Sequence, residues 1–224
     1  MQNVSTGFRF VVPAVLSMVA QIAAADVSLT LGEQDFADAS TPTTGDFLTA
    51  GSGESSPFNG VFSGSDVTGP NFSASWTFSY APQSPVLGAS LTLGIYDHES
   101  AAAGNQVASF KLNGIDLTIE LNSLFESRGG ASREDNVYVL TLPGTTFASL
   151  GTGTAAFELS LQGPGLGLFG ETPFNGAALD FSTLNVITRD VTPTPVPEPA
   201  SGALMSMALL GLAVARLRAP RRHR

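Results

Sequence analysis

The sequence predicts an all-β fold, an antiparallel β-sandwich of jelly-roll type, and three observations carry that prediction. Short segments alternate apolar and polar residues with a period of two, the pattern of a strand with one buried face. Gly, Pro, Ser and Asn break the chain between these segments, roughly every 10–20 residues. No helical pattern long enough to connect parallel strands lies between them. A closed barrel is the second architecture that fits this pattern.

The elements follow in order. Residues 27–31 begin the set, and 32–65, rich in Gly, Ser, Thr and Asp, read as long loops with one or two short strands. Segment 72–80 is the clearest strand: Phe72, Ala74, Trp76, Phe78 and Tyr80 share one face, and hydroxyl side chains occupy the other. Segment 87–96 repeats the pattern with Leu87, Ala89, Leu91, Leu93 and Ile95 inward. Segments 107–112 and 115–121 flank Asn113-Gly114, whose residues both accept positive φ, so they predict a hairpin. In its second arm Ile115, Leu117, Ile119 and Leu121 alternate with Asp116, Thr118 and Glu120. Only 123–128 hints at helix, with Ser123 and Glu126 as a capping box and Gly129-Gly130 as its stop. Segments 137–142, 155–161 and 178–187 complete the strands.

The two ends of the 224-residue chain are of another kind. Residues 1–25 combine a basic start at Arg9, an apolar stretch from Phe10 to Ile22 and the small residues Ala23-Ala24-Ala25. They read as a secretory signal peptide, with the mature chain starting near Asp26. A domain at 26–187 is followed by a proline-rich, semi-rigid spacer at 188–196. In the tail, 197–224, Pro197-Glu198-Pro199 precedes the uncharged run 200–215 and then Arg216, Arg218, Arg221, Arg222 and Arg224. That run as a helix would be about 24 Å long, short for a hydrocarbon core of about 30 Å. Snorkelling arginines or local thinning closes the gap. The arginine cluster marks the cytoplasmic side of a single transmembrane helix.

The triplet, the short Gly/Ala/Leu-rich run and the terminal arginines resemble the PEP-CTERM sorting signal of Gram-negative bacteria, the substrate signal of a membrane enzyme called exosortase. The resemblance covers about one-eighth of the chain. Pro197, Glu198 and Pro199 occupy the motif itself. It implies export, retention in the inner membrane by the tail, processing near the triplet, and release or transfer to the cell surface or extracellular polymer.

Charge and composition narrow the function of the body. All nineteen acids lie between Asp26 and Glu198, where the bases are Lys111, Arg128, Arg133 and Arg189, a net charge of −15. Such a field repels nucleic acid and anionic membrane and favours divalent cations. Cysteine is absent, which removes disulfides, cysteine nucleophiles and cysteine–metal sites.

His98, flanked by Asp97 and Glu99 after the strand ending at Tyr96, is the histidine of the exported part. One imidazole is too few for a zinc site, and no Gly-x-Ser-x-Gly elbow presents a serine nucleophile. Hard oxygen ligands suit calcium better, and Asp97, Glu99 and Asp180 are the candidate ligands, since all three fall where strands meet loops. Solvated loop acids are the plainer reading of the same residues. The run Arg133-Glu134-Asp135-Asn136 reads as an exposed loop, and Trp76, with Phe72 and Phe78 on its face, as core rather than a sugar-stacking ring. The leading expectation is an exported, non-enzymatic protein of the cell surface or of an exopolysaccharide matrix, with exosortase as partner. The alternatives are a carbohydrate-binding module with a structural calcium, and a secreted hydrolase using two carboxylates.

Overall fold

A computed structural model describes residues 24–65, 67–82, 85–98, 104–163 and 173–189. They belong to one compact unit, Ala24–Asp190. The expected signal peptide up to Ala23, the sorting triplet, the apolar run and the arginine cluster lie outside the described residues, as does Glu99. Among the described residues no helix is long and apolar enough to cross a membrane.

Among the described residues eight strands form two four-stranded sheets, and every pairing there is antiparallel. They are β1 (Ala24–Gly32), β2 (Ser73–Ser79), β3 (Val86–Tyr96), β4 (Val107–Leu112), β5 (Ile115–Asp116), β6 (Asp135–Thr141), β7 (Thr154–Leu161) and β8 (Ala178–Arg189). The first sheet has the order β1-β8-β3-β6 and the second β2-β7-β4-β5. The all-β expectation therefore holds, with a few short helices added: α1 (Thr44–Ala50), α2 (Thr118–Arg128) and α3 (Phe147–Leu150).

The inner faces of the two sheets share one core. Leu91, Leu93 and Ile95 of β3 and Leu184 and Val186 of β8 join Trp76 and Phe78 of β2, Phe110 and Leu112 of β4, and Phe157 and Leu159 of β7. Phe157 stacks on Trp76 at 5.5 Å and on Phe110 at 5.9 Å between ring centroids. The Trp76 Nε1–H donates to Ser182 Oγ at 3.1 Å, a buried polar tie from one sheet to the other. Trp76 is thus a core residue, as the apolar face of its strand predicts. At the β4–β5 turn Asn113 and Gly114 take φ of 50° and 79°, the two positive values that the hairpin requires.

Four expectations need correction. The second hairpin arm is a strand for only two residues. The Asp116 carboxylate then accepts from the Thr118 N–H and hydroxyl and turns the chain into α2. The apolar residues that looked like a two-residue alternation, Leu117 and Leu121, also fit helical spacing with Phe125, and those three are buried while Ile119 is 79% exposed. Asn122 fixes α2 to β4: its Oδ1 accepts the Gln106 and Val107 N–H groups at 2.9 Å, and its Nδ2 donates to Val107 O. The helix ends at Gly129, as expected.

The segment 32–65 contains α1 rather than strands, beyond single bridges at Ser40 and Ser63. A capping box starts that helix: Thr43 Oγ1 accepts the Asp46 N–H, and the Asp46 side chain accepts the Thr43 N–H. Phe47 then packs flat on Tyr96 at 4.3 Å, covering the outer face of the first sheet. Residues 144–150, outside the one stretch (123–128) that hints at helix in the sequence, form a 3-10 turn and α3. Finally, Leu87 points outward, because a register shift between Val86 and Gly88 moves it off the inner face.

Candidate functional site

The outer face of the first sheet carries a cluster of carboxyl groups near the ends of β3, β6 and β8. Asp135 opens β6 opposite Tyr96 of β3. On β8 the register against β3 runs Gly94–Phe181 and then Ile95–Leu179, so Asp180 is the extra residue of a bulge. Gly94 makes room for the Phe181 ring, which packs over it next to Asp180. A Cβ there would stand 2.5 Å from the Phe181 ring and 3.2 Å from Asp180 Cβ. The segment before α1 crosses the cluster: the Asp135 N–H donates to Ser40 O and the Ala39 N–H to Asp135 O, both at 2.8 Å.

Each acid has a different set of partners. Asp180 is 3% exposed and accepts the backbone N–H groups of Asp35 and Phe36, yet its Oδ2 has no partner. Asp135 is fully buried, and neither of its carboxyl oxygens has a partner. Asp38 is satisfied by the Val137 N–H at 2.8 Å and by Arg128 Nη2 at 3.2 Å. Glu54 accepts the Glu33 N–H with both oxygens at 3.2 Å. The Asp35 side chain is exposed, so the cluster reaches solvent through it.

Burial comes first in the electrostatics. It pushes the Asp135 carboxyl up to about 8, with the charges of Asp180, Asp38 and Asp35 adding to it. Burial likewise raises Asp180 to about 7, against the two N–H groups that favour its anion and together with the charges of Asp35 and Glu54. A folded-state pKa above the unfolded value gives stability that is complete below about 3.8 and is lost as pH rises toward 8. Asp135→Asn removes that loss. In EDTA, the wild-type unfolding free energy minus that of the variant should fall between pH 4 and 8, by up to about 1.4 kcal/mol per pH unit. Chemical denaturation across that range checks it.

The residues singled out in the sequence separate. Asp97 takes a left-handed backbone at φ 59°, and its Oδ1 accepts the Arg133 N–H. His98 is fully buried beneath α2, with Phe125 at 4.6 Å. The Tyr138 hydroxyl donates to Gly129 O at 2.7 Å, so its oxygen accepts from His98 Nε2–H at 2.8 Å. The imidazole is then neutral with Nδ1 unpartnered, and burial lowers its pKa to about 3. This histidine packs as a core ring.

Of the expected ligands, Asp180 lies near enough to Asp135 and Asp35 for their charges to act on one another. Asp135 and Asn136 are buried on β6, which corrects the reading of 133–136 as an exposed loop. A signal for this was present, since Asn136, Tyr138 and Leu140 continue the alternation of β6 backward. As they stand, no three His, Cys, Asp or Glu side chains among the described residues are grouped to hold a metal ion.

No family model and no curated protein matches the chain. Among solved structures, the dimeric latent PorU of Porphyromonas gingivalis aligns over 78% of this chain and 14% of its own, at 12% identity and a TM-score of 0.36. The ANXUR2 extracellular domain of Arabidopsis thaliana aligns over 79% of this chain and 44% of its own, at 14% identity and a TM-score of 0.28. The ANX2 ectodomain of the same plant aligns over 58% and 35%, at 15% identity and a TM-score of 0.28. The chain thus spans less than half the length of each of these structures.

Proposed function

We propose that this chain is an exported, non-enzymatic protein of the bacterial surface or extracellular matrix, delivered by exosortase through its PEP-CTERM-like tail. One observation carries the reading: the order, along one chain, of an export leader, an acidic body, a proline-rich spacer, Pro197-Glu198-Pro199, an apolar run and clustered arginines.

The geometry of the body supports it. Ala24 of β1 pairs with Arg189 of β8, so the chain enters and leaves the body side by side. The pairing reaches two residues beyond the expected limits 26–187 at each end. The carboxyl cluster sits at the other end of β8, with Asp180 nine residues from Arg189, about 30 Å along the strand. The jelly-roll reading is supported by the strand order, since β1-β8-β3-β6 and β2-β7-β4-β5 interleave strands from both halves of the chain as two Greek keys do.

Truncation after Thr194 tests the proposal. In an exosortase-bearing host the truncated chain should lose membrane retention and surface attachment, while the full chain keeps both, as read by fractionation and surface protease accessibility. Unchanged surface attachment of the truncated chain would overturn it.

A further inference from the structure

We propose that residues 33–50 form a pH-sensitive strap over the outer face of the first sheet, closed while Asp135 is protonated and released as that acid ionises. The strap meets the sheet through a small core of its own. Phe47 stacks on Tyr96 at 4.3 Å and on Phe36 at 5.8 Å, and Ala178 of β8 lies in the same cluster. Asp135 is the cross-strand partner of Tyr96, so its carboxyl stands on that outer face beside the stacked rings. The polar ties of the strap run through the same place. The Ala39 N–H donates to Asp135 O and the Asp135 N–H to Ser40 O, while the Val137 N–H donates to Asp38. The Asp35 and Phe36 N–H groups donate to the Asp180 carboxylate.

Asp135 is the point at which this arrangement gives way. It is fully buried, with no partner among the described residues for either carboxyl oxygen, so the neutral acid is tolerated there and the anion is not. The charges that face it are all acidic: Asp35 and Asp38 from the strap and Asp180 from β8, with Glu54 acting on Asp180 in turn. Arg128 of α2 is already held by Asp38 at 3.2 Å. From β3 the facing group is Tyr96, whose hydroxyl donates to Pro42 O in the strap at 3.3 Å. Burial and the three like charges hold the Asp135 carboxyl near 8 while the strap is closed. Water reaches the anion once the strap lifts, which gives up one small aromatic cluster, whereas global unfolding gives up the whole core between the sheets. Local opening is the smaller step.

Hydrogen–deuterium exchange of the purified full-length chain from pH 5 to 9, corrected for the intrinsic pH dependence of exchange, tests this. In wild type the protection of the strap, read at the Asp35, Phe36 and Ala39 amides, should fall by up to about tenfold per pH unit and level off above about 8. Amides of β7 should keep their protection. Asp135→Asn should leave the strap's protection flat across the range. Asp35→Asn, a change at an exposed side chain, should bring the levelling-off to lower pH, because one like charge is gone. Strap protection that is flat in wild type, or that falls equally in wild type and Asp135→Asn, would overturn the proposal. So would a fall shared equally by the strap and β7, which is global unfolding. Should Asp135→Asn fail to fold, the wild-type contrast between strap and β7 and the Asp35→Asn shift decide. The result is independent of export, so its failure leaves the proposed localisation standing.

Discussion

Phe157→Ala should lower the unfolding free energy by about 3–5 kcal/mol and the melting temperature by roughly 10 °C or more. Phe157 is completely buried in the middle of β7, where it lies between Trp76 on one neighbouring strand and Leu112 on the other. Its ring stacks on Trp76 and Phe110 and meets Phe78 edge-on at 6.1 Å, so truncation removes one partner from three aromatic contacts at once. Strand pairing on both sides holds the backbone and prevents collapse into the gap, which places the cost at the upper part of the range for such changes. Phe157→Leu should recover most of the loss. Circular dichroism melts and urea titrations measure both, and a loss under about 1 kcal/mol for the alanine variant would mean that the two sheets do not share this core.

The second large effect is acid sensitivity at His98. Its folded pKa, about 3, lies below the unfolded value of 6.5 because the ring is wholly buried. A depressed pKa gives stability that is complete above 6.5 and is lost as pH falls toward 3. His98→Phe keeps an aromatic ring against Phe125 and Tyr138 but cannot take up a proton. Between pH 6.5 and 4 the wild type should therefore lose on the order of 3 kcal/mol relative to the variant. The effect opposes that of Asp135, so the two variants separate an acid-side loss from a loss on raising the pH. A flat difference curve between wild type and His98→Phe would show that the imidazole is not buried neutral.

Much of the fold was legible where one side chain in two had to be apolar. In β2 the serines and threonine face out while Trp76 and Phe78 face in, and Asn113-Gly114 marked its turn, because only those local rules were needed. The reading failed where tertiary context chose between periods. Leu117 and Leu121 satisfy a spacing of two and a spacing of four equally, and the Asp116 carboxylate on the Thr118 N–H decided for helix. Leu87 was placed on the wrong face because a bulge is invisible to strict alternation. The carboxyl cluster was hardest to see. Asp35, Asp135 and Asp180 are about 100 and 45 residues apart in the chain and come within reach of one another's charge only through the β8-β3-β6 order and the segment that crosses β6. Asp180 was legible as a strand-end acid, whereas the burial of Asp135 follows from pairing that no local spacing encodes.

Intact-mass and terminal-peptide mass spectrometry of the protein recovered from its producing cells tests the proposed export most directly. A mature chain that begins near Asp26, ends near Pro197-Glu198-Pro199 and is found outside the inner membrane is the predicted result. An unprocessed chain from Met1 to Arg224, confined to the cytoplasm, would contradict it.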